Sequence, residues 1–566
     1  MAISSRLRIA IFALGALAAA APRLRAQPVG AADGNAVQLP AFIVSGGTPW
    51  RYAHLPGFEI LSRWPDSQTQ PFARDLAKAQ RLLDTVLPSE FQAQLSVPTA
   101  YLLAPDSTTN VLSEPLMAQV LAHAQASQPK LGQRPTEIHF LPNLMLWDRD
   151  ALLVFSLPPT GKAKSSQMIF ATSRVRVLLE RRIPALPQWF IDGFCDLYEG
   201  MIFTPEMAAT GHAWWLSPES TAAVAADPES PRPLLPLAEL FANPPVGGRD
   251  ETPAHALLRQ REAALFIRWA LDGDNHPRSA ALWHLVADAA AGPLTEQHFR
   301  ALFGEGFGPA LNDLSDYLRW ALTHSFRFPP GKAPASVEVR LRDATPAEVG
   351  RIKGDLERLE MNRVAAQFPE LVPKYREQAL VTLTKANQEN KTDPGLLAVT
   401  GLFNLDCDYA GHAEPPLAAA VAGRVVRPRA YFELARLRLA DETKSPPHAP
   451  PAQLTAAQTA DLLDLLNRAR AQAPPLAEVY GLNFDVWQAS AAQPNPAQLQ
   501  VFRDSARLFP ENPVLLYQAA VMLAQSGFLA EANEILERGL GVSTAPPLRT
   551  RLASLQEKVA AALKPR

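Results

Sequence analysis

The chain has 566 residues, of which 47% are hydrophobic and 19% are charged. This length predicts about three to four compact units, and the composition excludes a chain that is disordered throughout. The formal net charge of −2 excludes the strong basic field expected of a nucleic-acid-binding protein or a polybasic membrane-binding patch.

The first residues have the layout of a secretory signal peptide. Arg6 and Arg8 precede an apolar run over 9–21, which is shorter than the ~20 residues needed to span a bilayer. We expect a signal peptide over 1–26 that is cleaved after Ala26, and an uncleaved anchor is the alternative. The mature protein is therefore expected in the periplasm or outside the cell, with no transmembrane segment after the signal.

The next part of the sequence predicts an extended arm over 27–56 and then a small mixed sheet with helices. Apolar residues at helical spacing between 72 and 87 predict a helix. Short apolar segments typical of strands lie at 58–61, 97–103, 138–141 and 151–155. The charged segment 147–150 is typical of a turn between two of these strands, where such residues are ordinary.

Helical patterns dominate from residue 167 onward. The stretch 167–201 predicts two helices interrupted at Pro184 and Pro187, since proline ends helices. Beyond a proline-rich stretch over 205–256, helical patterns follow at 257–272, 279–290, 296–303 and 308–323. We therefore expect an α+β domain over 57–200, a helical subdomain of the same unit over 201–325, and a linker over 326–344.

A different, all-helical region is expected over 345–566. It begins at Thr345-Pro346, a capping hydroxyl followed by proline at the first helical position. Residues 512–540 have the tetratricopeptide pattern, with weaker copies over 393–441 and 475–508; its packing and turn positions are Leu516, Ala519, Ala520, Leu523, Gly527 and Ala532. Helical hairpins of this kind stack into a solenoid. Either its concave face holds a peptide or a protein, or the solenoid only supports the N-terminal domain.

The most informative stretch is 170–194, in which Pro184, Pro187, Trp189 and Gly193 follow Leu178-Leu179 at a characteristic spacing. It resembles the metal-site helix pair of gluzincin-type zinc metallopeptidases, which carry an H-E-x-x-H helix, a proline-containing connection and a P-x-W-[LF]-x-E-G helix. The resemblance implies a peptidase-like α+β domain. In that family two His and one Glu bind Zn²⁺, and a further Glu activates the bound water.

The zinc ligands and the general base of the motif are replaced in this sequence. Thr172 stands at the first His position, Ser173 at the general base, Arg176 at the second His and Asp192 at the third ligand. A guanidinium about 4 Å from a dication would repel it by roughly 8 kcal/mol at an effective dielectric of about 20. We therefore predict a degenerate domain with no catalytic residues, metal or cofactor.

Two further interpretations concern these helices. Arg176 and Asp192 occupy positions that converge in the family, so a guanidinium–carboxylate pair is expected to replace the metal between the helices, unless both side chains are solvated. The carboxylates of Asp192, Asp196 and Glu199 share one helix face, for which a solvated surface is favoured over a hydrolase or Ca²⁺ site.

The sequence thus indicates an exported, non-catalytic, peptidase-like protein whose repeats bind an unknown peptide or protein. A hydrolase that uses another site is the alternative, and a purely structural envelope protein is a third. Cys195 and Cys407 are the only cysteines, and two buried free thiols are favoured over a disulfide.

Overall fold

The computed structural model describes residues 36–43, 46–105, 107–108, 111–127, 137–158, 172–203, 207–211, 234–242, 252–272, 278–290, 292–328, 338–445 and 452–564. The signal peptide, most of the segment 205–256 and the insertion 446–451 lie outside these residues. The described part is mostly helical, with one main sheet in its N-terminal half.

The main sheet is built from six strands: β3 (Arg51–Leu55), β4 (Phe58–Ser62), β5 (Thr99–Leu103), β8 (Asn143–Trp147), β9 (Leu152–Ser156) and β12 (Arg342–Asp343). Their order across the sheet is β12-β3-β4-β5-β9-β8. Strands β4, β5 and β9 are parallel, whereas β3, β8 and β12 run antiparallel to their neighbours. Strand β4 is buried along its whole length because helices cover both faces of the sheet.

Smaller strand pairs and helices complete the N-terminal half. Strand β1 (Ala36–Pro40) pairs in parallel with β7 (Glu137–Leu141), β2 (Phe42–Ile43) pairs with β6 (Ser107–Thr108), and β10 (Met201–Phe203) pairs with β11 (Ala208–Thr210). The helices are α1 (Asp66–Val86), α2 (Glu114–Ser127), α3 (Thr172–Glu180), α4 (Gln188–Glu199), α5 (Leu237–Leu240), α6 (Pro253–Leu271), α7 (Arg278–Ala289), α8 (Glu296–Phe303) and α9 (Phe307–Ala321).

Helical hairpins make up the C-terminal half. Their helices are α10 (Pro346–Ala365), α11 (Val372–Glu389), α12 (Pro394–Asp406), α13 (Ala410–Ala422), α14 (Pro428–Glu442), α15 (Ala456–Arg470), α16 (Ala477–Ala489), α17 (Gln500–Leu508), α18 (Pro513–Gln525), α19 (Leu529–Val542) and α20 (Pro546–Leu563). Successive helices pack as antiparallel pairs, and α10, α12, α14, α16, α18 and α20 lie side by side. This arrangement is a tetratricopeptide-like solenoid.

Local sequence signals account for several helix ends. Thr345 and Glu348 form a reciprocal capping box at the start of α10. Gly527 has φ +88° in the turn between α18 and α19, a backbone conformation that favours glycine. Leu516, Ala519, Ala520, Leu523 and Ala532 are all buried, as the repeat pattern predicts.

The boundary at residue 345 does not separate two independent cores. Leu61, Leu102 and Phe155 on one face of the sheet share a core with Ile352 and Leu356 of α10. The opposite face packs against α1. The first helix of the solenoid therefore belongs to the core of the N-terminal domain as well.

The N-terminal arm also differs from its expected form. Residues 36–43 and 51–55 form strands β1, β2 and β3, and β3 is hydrogen-bonded within the main sheet. Their apolar residues find partners distant in sequence, such as Phe42, which stacks on Tyr375 of α11 at 4.5 Å between ring centroids. Extended chain without local periodicity gives little sign of such pairing.

Candidate functional site

The α3–α4 helix pair is built by packing residues of the motif over 178–193. The indole of Trp189 is 2% exposed and lies against the rings of Phe190, Phe241 and Phe266. A Cβ at Gly193 would lie 2.7 Å from the backbone carbon of Ala263 in α6, so only glycine permits this close helix approach. These motif positions therefore have structural roles that require no metal.

The structure brings Arg176 and Asp192 together across this helix pair. Arg176 Nη1 donates a hydrogen bond of 2.8 Å to Asp192 Oδ1, and Gln188 Nε2 donates one of 2.9 Å to Asp192 Oδ2. Glu180 Oε1 lies 3.6 Å from the same guanidinium nitrogen. The side chains of Arg176 and Asp192 are 28% and 25% exposed. Both carboxylate oxygens of Asp192 thus already accept hydrogen bonds.

Burial and charge around the ion pair keep the Arg176 side chain protonated and the Cys195 thiol unreactive. Burial lowers the pKa of Arg176, but Cys195, Asp192 and Glu180 outweigh this effect, so its pKa lies above the ordinary value. Burial raises the pKa of the Cys195 thiol to about 12, despite the opposing effect of Arg176. A thiol of this pKa is not a nucleophile at neutral pH. Cys195 and Cys407 are both buried and unpaired, as the sequence favoured.

The other two positions that the sequence resemblance assigned are Thr172 and Ser173. Thr172 is half-buried and Ser173 is exposed, both at the first turn of α3. The other two assigned positions hold the carboxylate of Asp192 and the guanidinium of Arg176. This set does not fit a zinc ion, which takes three neutral or anionic protein ligands. Among the described residues, no three His, Cys, Asp or Glu side chains are grouped as a metal-ligand set.

The carboxylate stripe on α4 divides into residues with different partners. Asp192 is held by Arg176, whereas Asp196 Oδ1 accepts a hydrogen bond of 3.1 Å from Gln260 Nε2 of α6. Burial raises the pKa of Asp196. Glu199 is exposed. The solvated helix face favoured by the sequence therefore describes Glu199 but not the other two.

A buried charge network that the sequence did not predict joins the sheet to the solenoid. Asp148 and Asp150, in the turn between β8 and β9, are 6% and 0% exposed. Asp148 accepts hydrogen bonds from Arg358 of α10, and from Arg427 and Arg429 at the start of α14, at 2.5, 2.8 and 2.8 Å. These turn residues are therefore interior groups of the seam, the contact surface between sheet and solenoid.

Further carboxylates complete this network. Asp355 accepts from Arg358 and Arg427, and Asp406 accepts from Arg358 and Arg429. Asp150 Oδ2 accepts from the backbone N–H of Arg429 at 2.7 Å. Burial by itself raises the pKa of Asp148, but Arg429, Arg358 and Arg427 hold it well below its ordinary value. Three buried guanidinium groups thus face four carboxylates, and each of the four carboxylates contacts at least one of the arginines, as burial of charge requires.

A half-open cavity of about 260 Å³ lies in the seam beside this network. Its apolar walls include Pro98 and Leu153 from the sheet side and Val399 from α12. Its polar lining residues are Glu59, Arg351, Asp355, Asp393, Arg424 and Arg427. Arg351 donates to both carboxylate oxygens of Glu59, one of them at 2.6 Å. The cavity is thus a concave site lined by residues from both the sheet and the solenoid.

Comparisons with known proteins concern the fold of the solenoid. The described fold is similar to YrrB, a TPR protein with an unusual peptide-binding site, with TM-score 0.26 and 14% identity over 35% of this chain and 90% of that one. It is similar to a thermophilic TPR protein of Thermus thermophilus, with TM-score 0.24 and 18% identity over 35% of this chain and 98% of that one. It is also similar to PilF of Pseudomonas aeruginosa, with TM-score 0.27 and 17% identity over 38% of this chain and 90% of that one.

No family model matches the sequence, and no curated protein matches it. The repeat assignment therefore rests on the helix hairpins themselves. In the described part of the chain, no helix is both long and apolar enough to cross a membrane.

Proposed function

We propose that this chain is an exported, non-catalytic protein that descends from a gluzincin-type peptidase and binds a peptide or a protein through its repeats. The observation that carries the proposal is the Arg176–Asp192 ion pair, because a protonated guanidinium lies at a position where the peptidases bind zinc. The pair connects α3 to α4, which is the connection that a shared metal ion provides in the peptidases.

The later hairpins offer the inner surface for a partner. The turn at Asp148 and Asp150 packs against α10 and the start of α14, so these helices are already covered there. Farther along, Gly481 of α16 faces Gln518 of α18. A Cβ placed on Gly481 would lie 3.8 Å from Gln518 Oε1. Tyr517 of α18 is partly exposed and lies within the electrostatic influence of Arg551 of α20. Stacked helices of this kind present a continuous binding surface.

The non-catalytic part of the proposal is tested by metal analysis and hydrolysis. We expect purified protein dialysed against Zn²⁺ to contain far less than one zinc per chain and to cleave no unfolded protein substrate. Stoichiometric, chelator-sensitive zinc would refute the proposal. Hydrolysis that persists with chelator would favour the alternative of a hydrolase that uses another site.

The binding part is tested by site-specific photocrosslinking in cells. A photoreactive benzoylphenylalanine at Tyr517 is expected to give a discrete adduct, because we place the partner along α16, α18 and α20, which lie side by side. The matched control is the same residue at Leu380 of α11, which is 51% exposed. No adduct at either position, or equal adducts at both, would contradict the assigned surface.

Export is tested by fractionation and N-terminal sequencing. The Arg6-Arg8 region and the apolar run over 9–21 support a cleaved signal. We expect the protein recovered from the periplasm or medium to begin at Gln27.

A further inference from the structure

Arg424 adopts a backbone conformation that its own residue type disfavours. It lies just after α13 with φ +56°, in the left-handed region. The chain there has the hydrogen bonds of a helix C-terminal motif, with the N–H of Val425 donating to the carbonyl of Ala420 at 3.1 Å. Glycine is the usual residue in this conformation because it has no Cβ. An arginine at this place is therefore not explained by the local fold.

The neighbouring glycines show what holds this loop in position. A Cβ at Gly423 would lie 2.6 Å from Pro394 Cγ, and a Cβ at Gly395 would overlap Arg351 Cδ. Gly423 lets the loop between α13 and α14 pack directly on the start of α12, and Gly395 lets the start of α12 lie against Arg351 of α10. This packing forms the solenoid wall of the cavity and places Arg424 in its lining.

Arg424 differs from the other two arginines that line this cavity, Arg351 and Arg427, which are held in ion pairs. Arg424 is exposed, and its side chain has no ion-pair or hydrogen-bond partner among the described residues. The side chain of Arg351 is 26% exposed, whereas its partner Glu59 is only 4% exposed. Asp393 Oδ1 already accepts from the N–H of Leu396, as the cap of α12. A ligand carboxylate in the cavity could therefore pair with Arg424 without displacing a protein partner of that side chain.

Apolar surface adjoins this cation at the cavity wall. Val426 is 53% exposed, one of the most exposed large hydrophobic residues in the described part of the chain. It lines the cavity together with Pro98 and Val425. A volume of about 260 Å³ lies just below the range of drug-sized ligand sites, which starts near ~300 Å³. The space thus suits a ligand about as large as one amino acid.

We propose that the seam cavity binds a small organic acid that carries one carboxylate and a short aliphatic group, with the carboxylate on Arg424. The planar guanidinium pairs with a carboxylate through two parallel hydrogen bonds. The acids Glu59, Asp355 and Asp393 also line the cavity, and they repel a doubly charged anion such as phosphate more strongly than a singly charged carboxylate. This site is independent of any partner held by the later hairpins.

The test is calorimetric titration of the full mature chain with N-acetylvaline, N-acetylvalinamide and inorganic phosphate. We expect saturable binding of the acid, with the amide and phosphate at least tenfold weaker. The variant Arg424→Gly removes the guanidinium and replaces it with the residue that the backbone favours. It is expected to weaken acid binding at least tenfold while the melting temperature stays equal or rises.

Two further variants serve as controls for the role of Arg424. The variant Arg319→Gln removes an arginine that is 83% exposed on α9, and binding by this variant should equal that of the wild type. Arg424→Gln is expected to lose binding like Arg424→Gly, which separates charge from backbone effects. The proposal is overturned by no saturation up to about 10 mM acid, by equal binding of acid and amide or of acid and phosphate, or by wild-type binding in both Arg424 variants.

Discussion

Asp148 offers the sharpest test of how the sheet and the solenoid are held together. The variant Asp148→Asn keeps the size of the side chain but removes its negative charge. In the wild type its carboxylate accepts hydrogen bonds from Arg358, Arg427 and Arg429, all of which are nearly inaccessible to solvent. The variant therefore leaves three buried guanidinium groups with one anion fewer.

Removing one partner from a buried ion pair costs about 3–5 kcal/mol, because the remaining charge cannot regain its hydration. Asp355 and Asp406 still contact the same arginines, so we expect a loss near the lower limit, about 3 kcal/mol in the free energy of unfolding. The pKa of Asp148 is lowered by folding, so its contribution is present above the ordinary carboxyl pKa. It is lost as the pH falls from there through the folded-state pKa.

The assay is urea unfolding of both proteins between pH 7 and pH 3. A matched control is Glu531→Gln, which breaks a pair with Arg503 between two solenoid helices, with an Nε–Oε2 distance of 2.6 Å. Glu531 is 44% exposed, so its loss should cost less than about 1 kcal/mol. The reasoning is refuted if Asp148→Asn costs no more than this control, or if its deficit does not shrink in acid.

Three other predictions concern single sites. Gly193→Ala should lower the free energy of unfolding by about 1–3 kcal/mol, because the added Cβ meets the backbone of Ala263. Gly541→Ala, in open space on α19, should be neutral or stabilising, and equal effects of the two variants in urea unfolding would contradict the packing role of Gly193. Burial raises the pKa of Glu360 on α10 well above its ordinary value, so the wild type loses stability as the pH rises from the ordinary carboxyl pKa to the folded-state pKa. Glu360→Gln should therefore be more stable than the wild type at pH 8 and equally stable near pH 4. A difference in melting temperature that does not depend on pH would argue against this prediction. The combined variant Thr172→His, Ser173→Glu, Arg176→His and Asp192→Glu should bind one chelator-sensitive Zn²⁺ per chain, and a folded variant without zinc would count against the peptidase alignment.

The helix pair shows what the sequence can predict about this site. The prolines at 184 and 187 fix where α3 and α4 are interrupted, and the spacing of Arg176 and Asp192 on these helices brings their side chains together. Both are local signals, since they depend on helix periodicity and one short connection. That the ion pair stands in place of a metal stays a prediction until zinc is measured.

The contacts in the seam could not be predicted from the sequence, because the residues that form them are distant from each other along the chain. Asp148 contacts Arg358, 210 positions away, and Arg429, 281 positions away. A charged residue in a turn is usually solvated, and no periodicity marks the exceptions. Arg424 gave a similarly weak signal, although the Gly423-Arg424 pair at a helix end marks where a left-handed residue is needed.

The seam also constrains how the number of repeats can change during evolution. Arg358 on α10, Arg427 just before α14 and Arg429 in its first turn must all meet Asp148. A hairpin inserted between α10 and α14 would therefore move the arginines apart by the width of a repeat. A hairpin added or lost after α17 leaves these contacts unchanged. Related proteins with longer or shorter solenoids are therefore expected to differ at the C-terminal end of the array.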